Sequence, residues 1–403
     1  MTLSRRRFLA RTSLGTAALL SGACAGPVRT DPNPSYLALP KGPTGSVHLA
    51  RHATKDWRAA CEQALDAVTD TSSWLSRGDT VFVKVACNSP SEHPAVTSPD
   101  AVRAIVAVLE DRGAGAVLVG DQAGVEHVRL TSEGRVSSTR ETMAENGLLA
   151  AIEESGAEFH AFDDQGWNSS FAAQADFAGD HWEGGATLFL PEVLNRVQHV
   201  INLPRLGTHS LAGYTCAVKN GVGWLRDDSR KVLHQKAATF FEKMAEIHHF
   251  QPLRDKLRVH LTLGDAALLN IGPDFGSNYD FDGILALASS EAVDHDLVAS
   301  AVLNWLDGDD TSFFDLYTPY PEDVDHWNLG LVEDTWGDEA IADYEPLVAF
   351  ERGRGLEYDR ALSHLAMLQN RRPDRVAVKV GGDPLPDGLL AYLNGYGDGL
   401  VQV

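Results

Sequence analysis

The chain alternates two hydrophobic rhythms. "DTVFVKVACN" (79–88) and "AGAVLVGD" (114–121) are short, nearly continuous apolar runs, the pattern of strands buried on both faces. Between them, "SPDAVRAIVAVLEDRG" (98–113) carries apolar residues at helical spacing, with Ser98 as N-cap, Pro99 in the first turn and Gly113 past the end. "RAACEQALDAVTDTSSWL" (58–75) and "ETMAENGLLAAIEESG" (141–156) predict further helices, and "AEFHAFDD" (157–164) a third strand. A second series follows the first. "GGATLFLP" (184–191), "VQHVINLP" (197–204), "RVHLTLGDA" (258–266), "GILALASS" (283–290) and "DRVAVKV" (374–380) read as strands. "AATFFEKMAEIHHF" (237–250) and "EAVDHDLVASAVLNWL" (291–306) read as helices.

Strand–helix–strand alternation predicts an α/β fold: a doubly wound, mostly parallel sheet with flanking helices, arranged as one sheet or as two α/β lobes. The expected division is an N-terminal lobe at 46–180 and a second lobe at 181–306. An acidic, aromatic insertion or lid at 307–345 shows no clear period, and a segment at 346–403 returns to the sheet.

The first 45 residues stand apart. "SRRRFLA" places paired arginines before Phe8 and Leu9, and a short apolar stretch follows. This predicts a twin-arginine signal peptide over 1–25, then a Pro- and Gly-rich linker over 26–45. Ala23-Cys24-Ala25 fits simple cleavage; lipid anchoring through Cys24 is the alternative, although Ser21 and Gly22 depart from the usual lipoprotein pattern. The expectation is export by the twin-arginine machinery to the periplasm or the exterior. No later run of about 18 apolar residues predicts a transmembrane segment in the mature chain.

Charge and cysteine content narrow the function classes. The formal net charge is −22 over 403 residues. Residues 259–351 contain 21 Asp and Glu and no Lys or Arg, which excludes nucleic acid as a partner for that stretch. Residues 204–258 reverse the balance, with 10 Lys and Arg against 5 acids, and suit a small anionic ligand. The four cysteines, Cys24, Cys61, Cys87 and Cys216, form no C-x-x-C pair, which argues against an iron–sulfur cluster. Outside the cytoplasm, a Cys61–Cys87 or a Cys87–Cys216 disulfide is compatible with the sequence.

Ligands of doubly wound sheets bind beyond the carboxyl ends of the strands. Lys84, Cys87 and Asn88 close the first strand, Asp121 closes the second, and Asn202 opens "NLPRLGTHSLAGYTCAVKNGVGWL" (202–225). In that loop His209 and Lys219 flank glycines that permit close backbone approach, and Thr215 and Asn220 add hydrogen-bonding groups. Lys219 and Arg205 are the candidates for holding a carboxylate or phosphate; a desolvated Lys219 also suits a base or nucleophile. His209 is the candidate acid/base residue, with Asp121 beside it. With His234 in "KVLHQK", His209 is also a candidate ligand for a divalent metal. In "EIHHF" (246–250) adjacent helical histidines diverge by about 100°, so only one of them can approach the site. Asp265 is expected at a strand end as a partner for a His or Lys.

These segments resemble the family of domain of unknown function 362. Lys84 and Asn88 resemble its strand-end Lys–Asn, and Thr97 and Pro99 its helix start. His209, Gly213, Thr215, Lys219 and Asn220 resemble its "G-x-T-x-x-x-K-N" loop, and Asp265, Gly272 and Pro273 its late motif. Lys84, Asn88, Thr97, Arg205, Thr215 and Asn220 are the candidate substrate-binding residues; Arg205 stands where the family commonly has a Lys. Many relatives carry a ferredoxin-like cysteine cluster, which this chain lacks. "HSLAGYTCAVK" is also distantly similar to the His-to-Lys loop of nickel-pincer lactate racemases, though Thr-Cys-Ala-Val replaces their Ser-Gly-Gly-Arg.

Three readings follow from the sequence. The first is an exported enzyme acting on a small anionic substrate at the His209/Lys219 loop, with or without a metal. The second is a non-catalytic protein that binds a metal or an anionic metabolite. The third is an interaction protein working through 307–345.

Overall fold

The computed structural model describes residues 42, 44–172, 181–182, 187–307, 321–347, 356, 359–371, 375–397 and 399–403. The proposed signal peptide and most of the linker lie outside them. Nine strands form the spine of the main sheet: β1 (Ser46–His52), β2 (Thr80–Val85), β3 (Ala116–Gly120), β4 (Glu158–Phe159), β5 (His199–Leu203), β6 (Leu257–Leu269), β7 (Ser277–Ser289), β8 (Val376–Gly382) and β9 (Val401–Gln402). Their order is β9-β8-β1-β7-β6-β5-β2-β3-β4. The run from β4 through β3, β2 and β5 to β6 is parallel. β7 pairs antiparallel with both β6 and β1, and β8 and β9 return parallel to β1. The sheet is therefore mixed α/β and mostly parallel. Strands from both sides of residue 180 lie in it.

Period-two alternation divides the core between the two faces. Val81, Val83 and Val85 of β2, with Ile201 and Leu203 of β5, pack under helices α1 (Trp57–Val68) and α2 (Pro99–Asp111). Phe82 and Val200 point the other way, into a core with Trp224, Phe240 and Phe250. Lys84 and Asn202 share that second face by parity, and Lys84 lies directly opposite Asn202 in the ladder. A polar row thus enters an otherwise apolar layer, at the carboxyl ends of the parallel strands. α2 begins and ends where Ser98, Pro99 and Gly113 predict.

Several elements depart from the sequence reading. The helix read over 141–156 is two, Thr139–Glu145 and Leu148–Glu154, because Gly147 takes φ +85° between them. Among the described residues of "GGATLFLP", Phe189–Pro191 form a strand, which pairs with Ser170–Ala172 away from the main sheet. "AEFHAFDD" contributes only the two residues of β4. Asp265 sits inside β6 at a register shift rather than at its end. Cys61, Cys87 and Cys216 are buried free thiols, so neither expected disulfide forms. The described part of the acidic stretch is largely helical: α7 (Pro321–Trp336) and a short helix at Asp338–Ile341.

Candidate active site

The loop after β5 folds back over the carboxyl ends of β2, β3 and β5. Its first part is a hairpin, Gly207–His209 against Gly213–Thr215; its second is a helical turn, α3 (Ala217–Asn220). Asp296, on helix α6 (Ala292–Asp307), caps that turn by accepting the Ala217 and Val218 N–H groups at 2.8 Å each. Buried His295 bonds Asp296 at 2.8 Å and lies 3.8 Å from Cys216. From the other side, His248 of helix α5 (Phe240–His249) bonds the Val218 carbonyl at 2.9 Å. Of the "HH" pair it is therefore His248 that approaches the loop. These contacts fix where Lys219 can point.

Beneath the loop, the polar row is closed on itself. The Lys84 ammonium, with no exposed side-chain surface, pairs with Asp121 at 2.7 Å and donates to the Val85 carbonyl at 2.8 Å. It also reaches the Asn220 carbonyl and side-chain oxygens at 3.2 Å each. Asp121 in turn accepts the Cys87 and Gln122 N–H groups at 2.8 and 2.7 Å. Asn220 donates to Asn202 Oδ1 at 2.7 Å, and Asn202 Nδ2 reaches His260 Nδ1 at 2.9 Å. Gly223 is required here, because a Cβ would stand 2.2 Å from Asp121 Oδ1 and 2.5 Å from Lys84 Nζ.

Above this base lies a cleft of about 140 Å³. Eight of the ten sequence-nominated residues line it: Asn88, Asp121, Arg205, His209, Thr215, Lys219, Asn220 and His234. Lys84 lies behind Asp121 and is fully enclosed. Thr97 lies away from the wall; its hydroxyl accepts the Ala86 N–H at 2.8 Å and donates to the Leu203 carbonyl at 2.7 Å, tying β2 to β5. Asp265 serves the rim of the molecule, pairing with Lys55 at 3.0 Å and His93 at 3.2 Å.

Three lining cations differ in freedom. The Arg205 guanidinium donates to the Pro94 and Pro273 carbonyls at 3.3 and 3.1 Å, and burial lowers its pKa to about 10. Arg230 was not nominated from sequence. It donates to four carbonyls, those of Gln122, Ala123, Gly223 and Leu225, at 2.5–3.2 Å. Its only sequence signal is its place four residues before His234, on one face of helix α4 (Asp227–Gln235). Lys219, by contrast, opens to the cleft, and among the described residues no hydrogen-bond or ion-pair partner reaches its ammonium. Desolvation, reinforced by Arg230, Arg205 and Lys84, pushes its pKa down to about 7.

The two histidines are held in opposite tautomers. His209 Nδ1 faces the Leu211 and Ala212 N–H groups at 3.1 and 3.3 Å, so it accepts, and the neutral ring carries its proton on Nε2. Burial and neighbouring Lys219 keep its pKa well below the usual histidine value. His234 Nδ1 faces Asn328 Oδ1 at 2.9 Å; Asn328 Nδ2 donates to the His234 carbonyl and to Tyr344. His234 therefore carries its proton on Nδ1, leaving a lone pair on Nε2. Burial lowers its pKa to about 3.

This donor set does not fit the metal expected at His209 and His234. The His209 nitrogen left over by the backbone bears a proton, and Lys219, Arg205 and Arg230 surround the space with positive charge. Groups of three potential ligands among the described residues are His181–Glu246–His364, Cys216–His295–Asp296 and Glu126–His127–Asp274; none contains His209 or His234, and the last has Glu126 and His127 on the cleft wall.

No curated protein matches the chain significantly. Among solved structures, a structural-genomics protein from Thermotoga maritima aligns at 11% identity and TM-score 0.33, covering 58% of this chain. The chain spans about half of that protein, 54% of its length. The lactate racemase apoprotein from Thermoanaerobacterium thermosaccharolyticum aligns at 12% identity and TM-score 0.36, covering 88% of this chain and 86% of that one. Likenesses this faint carry no argument about chemistry. The family profile described as "Domain of unknown function (DUF362)" matches residues 81–301. That span includes β2, β3, β5, β6, β7 and the whole His209–Lys219 loop, and by it the chain belongs to the DUF362 family.

Proposed function

We propose that the cleft is the active site of an enzyme that moves a proton on a small anionic substrate, with Lys219 as the base. The observation that carries this reading is Lys219 itself: open to the cleft, with no hydrogen-bond or ion-pair partner among the described residues, and with a pKa lowered to about 7. A base works best when its pKa lies near the operating pH. Arg205 and Arg230 supply fixed positive potential for a carboxylate or phosphate, held in place by backbone carbonyls. His209, neutral and with Nε2–H free, donates to an oxygen on which charge develops; His234 Nε2 accepts a hydrogen bond from a substrate hydroxyl and stays neutral. No step needs a metal at these two histidines.

The assay needs no knowledge of the product. The purified chain is incubated in deuterium oxide with a panel of small hydroxy, keto and phosphorylated acids, and loss of carbon-bound proton signals is followed by NMR. We expect exchange in at least one class, with an acid limb near pH 7. Lys219→Ala should cut the rate by about 10²–10⁴-fold. Binding of an anion without exchange in any class would defeat the enzyme reading and leave the ligand-capture alternative. The chain is further proposed to reach this site's substrate outside the cytoplasm, through its twin-arginine segment at Arg5–Arg7.

A further inference from the structure

A second cluster of ligating side chains lies outside the cleft. Glu246 on α5, His364 on helix α8 (Arg360–Leu368) and His181 from the segment before Phe189 come from three distant parts of the chain. One potential ligand atom from each lies within 4.8 Å of the others. His364 Nε2 stands 2.9 Å from Glu246 Oε1, and His181 Nδ1 contacts the same oxygen. The His181 N–H donates to Glu246 Oε2 at 2.9 Å, which orients the carboxylate so that its other oxygen faces the rings. Glu246 has no exposed side-chain surface, and its ion-pair partners among the described residues are these two imidazoles. A buried carboxylate without a fixed cation is costly, and a dication among neutral imidazoles removes that cost. His181 is about one-third exposed, which leaves a way in for an ion.

We infer that His181, Glu246 and His364 form a binding site for one divalent transition-metal ion of the zinc class. Two imidazoles and one carboxylate are a donor set that suits such ions and discriminates against calcium and magnesium. The ion clamps α8 and the His181 segment onto α5, two residues from the His248 that supports the Lys219 turn. Metal occupancy at this site therefore bears on the position of Lys219 without placing metal in the cleft.

The test uses the full chain stripped with chelator and titrated with Zn²⁺, and with Co²⁺ as an optical probe. One equivalent should bind, with visible Co²⁺ absorption of low-symmetry coordination, and Tm should rise on loading. His364→Ala and Glu246→Gln should weaken Zn²⁺ by at least the roughly 10- to 100-fold seen for losing an outer-shell partner. Circular dichroism checks that each variant folds; should His364→Ala not fold, His181→Ala at the more exposed position gives the same reading. The double variant His209→Gln/His234→Gln should bind metal normally. No binding by the parent, unchanged binding in both cluster variants, or loss only in the cleft double variant would each overturn the assignment.

Discussion

Lys84 and Lys219 are both lysines at the base of one cleft, yet only one is available for chemistry. Lys84 is locked by Asp121 and three oxygen acceptors; Lys219 faces open space and other cations. The sequence nominates both, because it shows residue type and strand-end position but not what lies behind a side chain. The same holds for Thr97, whose hydroxyl joins two strands. Burying an ion pair and then removing one partner leaves an uncompensated charge, so Asp121→Ala should destabilise the chain by about 3–5 kcal/mol in urea unfolding. Gly223→Ala should cost about 1–3 kcal/mol, since its methyl group enters the Lys84–Asp121 contact. If both variants were neutral, the closed polar row would not be the foundation of the site.

At the scale of elements, the acidic stretch changes meaning. The sequence offers it as a lid or an interaction surface, since its charges follow no period. In the structure α7 packs beside α4, Asn328 is buried against His234, and Leu331 lines the cleft. A helix with no period in its own sequence still supplies a wall, because one buried amide can set a tautomer. Asn328→Asp places a carboxylate against His234 Nδ1 and favours the imidazolium. The His234 pKa should then rise from about 3 toward neutrality, followed by NMR titration of the ring. An unchanged titration would mean that α7 does not control His234.

For the whole molecule, the buried neutral histidines set the acid limit. Burial lowers His160 and His199 to about 4 and His234 to about 3. The unfolded chain takes up these protons near 6.5, whereas the native chain does not. Stability from these groups is thus complete above about pH 6.5 and is lost as pH falls toward 4. His48, His52, His209 and His249 are lowered by burial as well and add to this trend. Asp227, Asp294 and Asp359, raised by burial (Asp359 to about 6), have the opposite sign, but these three acids stand against seven histidines. Lys219 acts in a different window: native deprotonation near 7 against 10.5 unfolded makes stability rise between those values. Urea midpoints should therefore fall steeply from pH 6.5 to 4 and rise modestly above 7; a flat profile below 6.5 would contradict the burial of these rings.

The sequence by itself determined the α/β alternation, the bounds of α2 and the loop that carries His209 and Lys219. Each of these is written locally: in apolar period, in Ser98, Pro99 and Gly113, and in glycines between polar residues. Tertiary structure alone decided the antiparallel placing of β7 beside β1, the division of labour between Lys84 and Lys219, and the tautomer of His234. It also recruited Arg230 and Asn328, and gathered His181, Glu246 and His364. Those features depend on desolvation and on contacts between segments far apart in the chain, and local pattern holds no record of either.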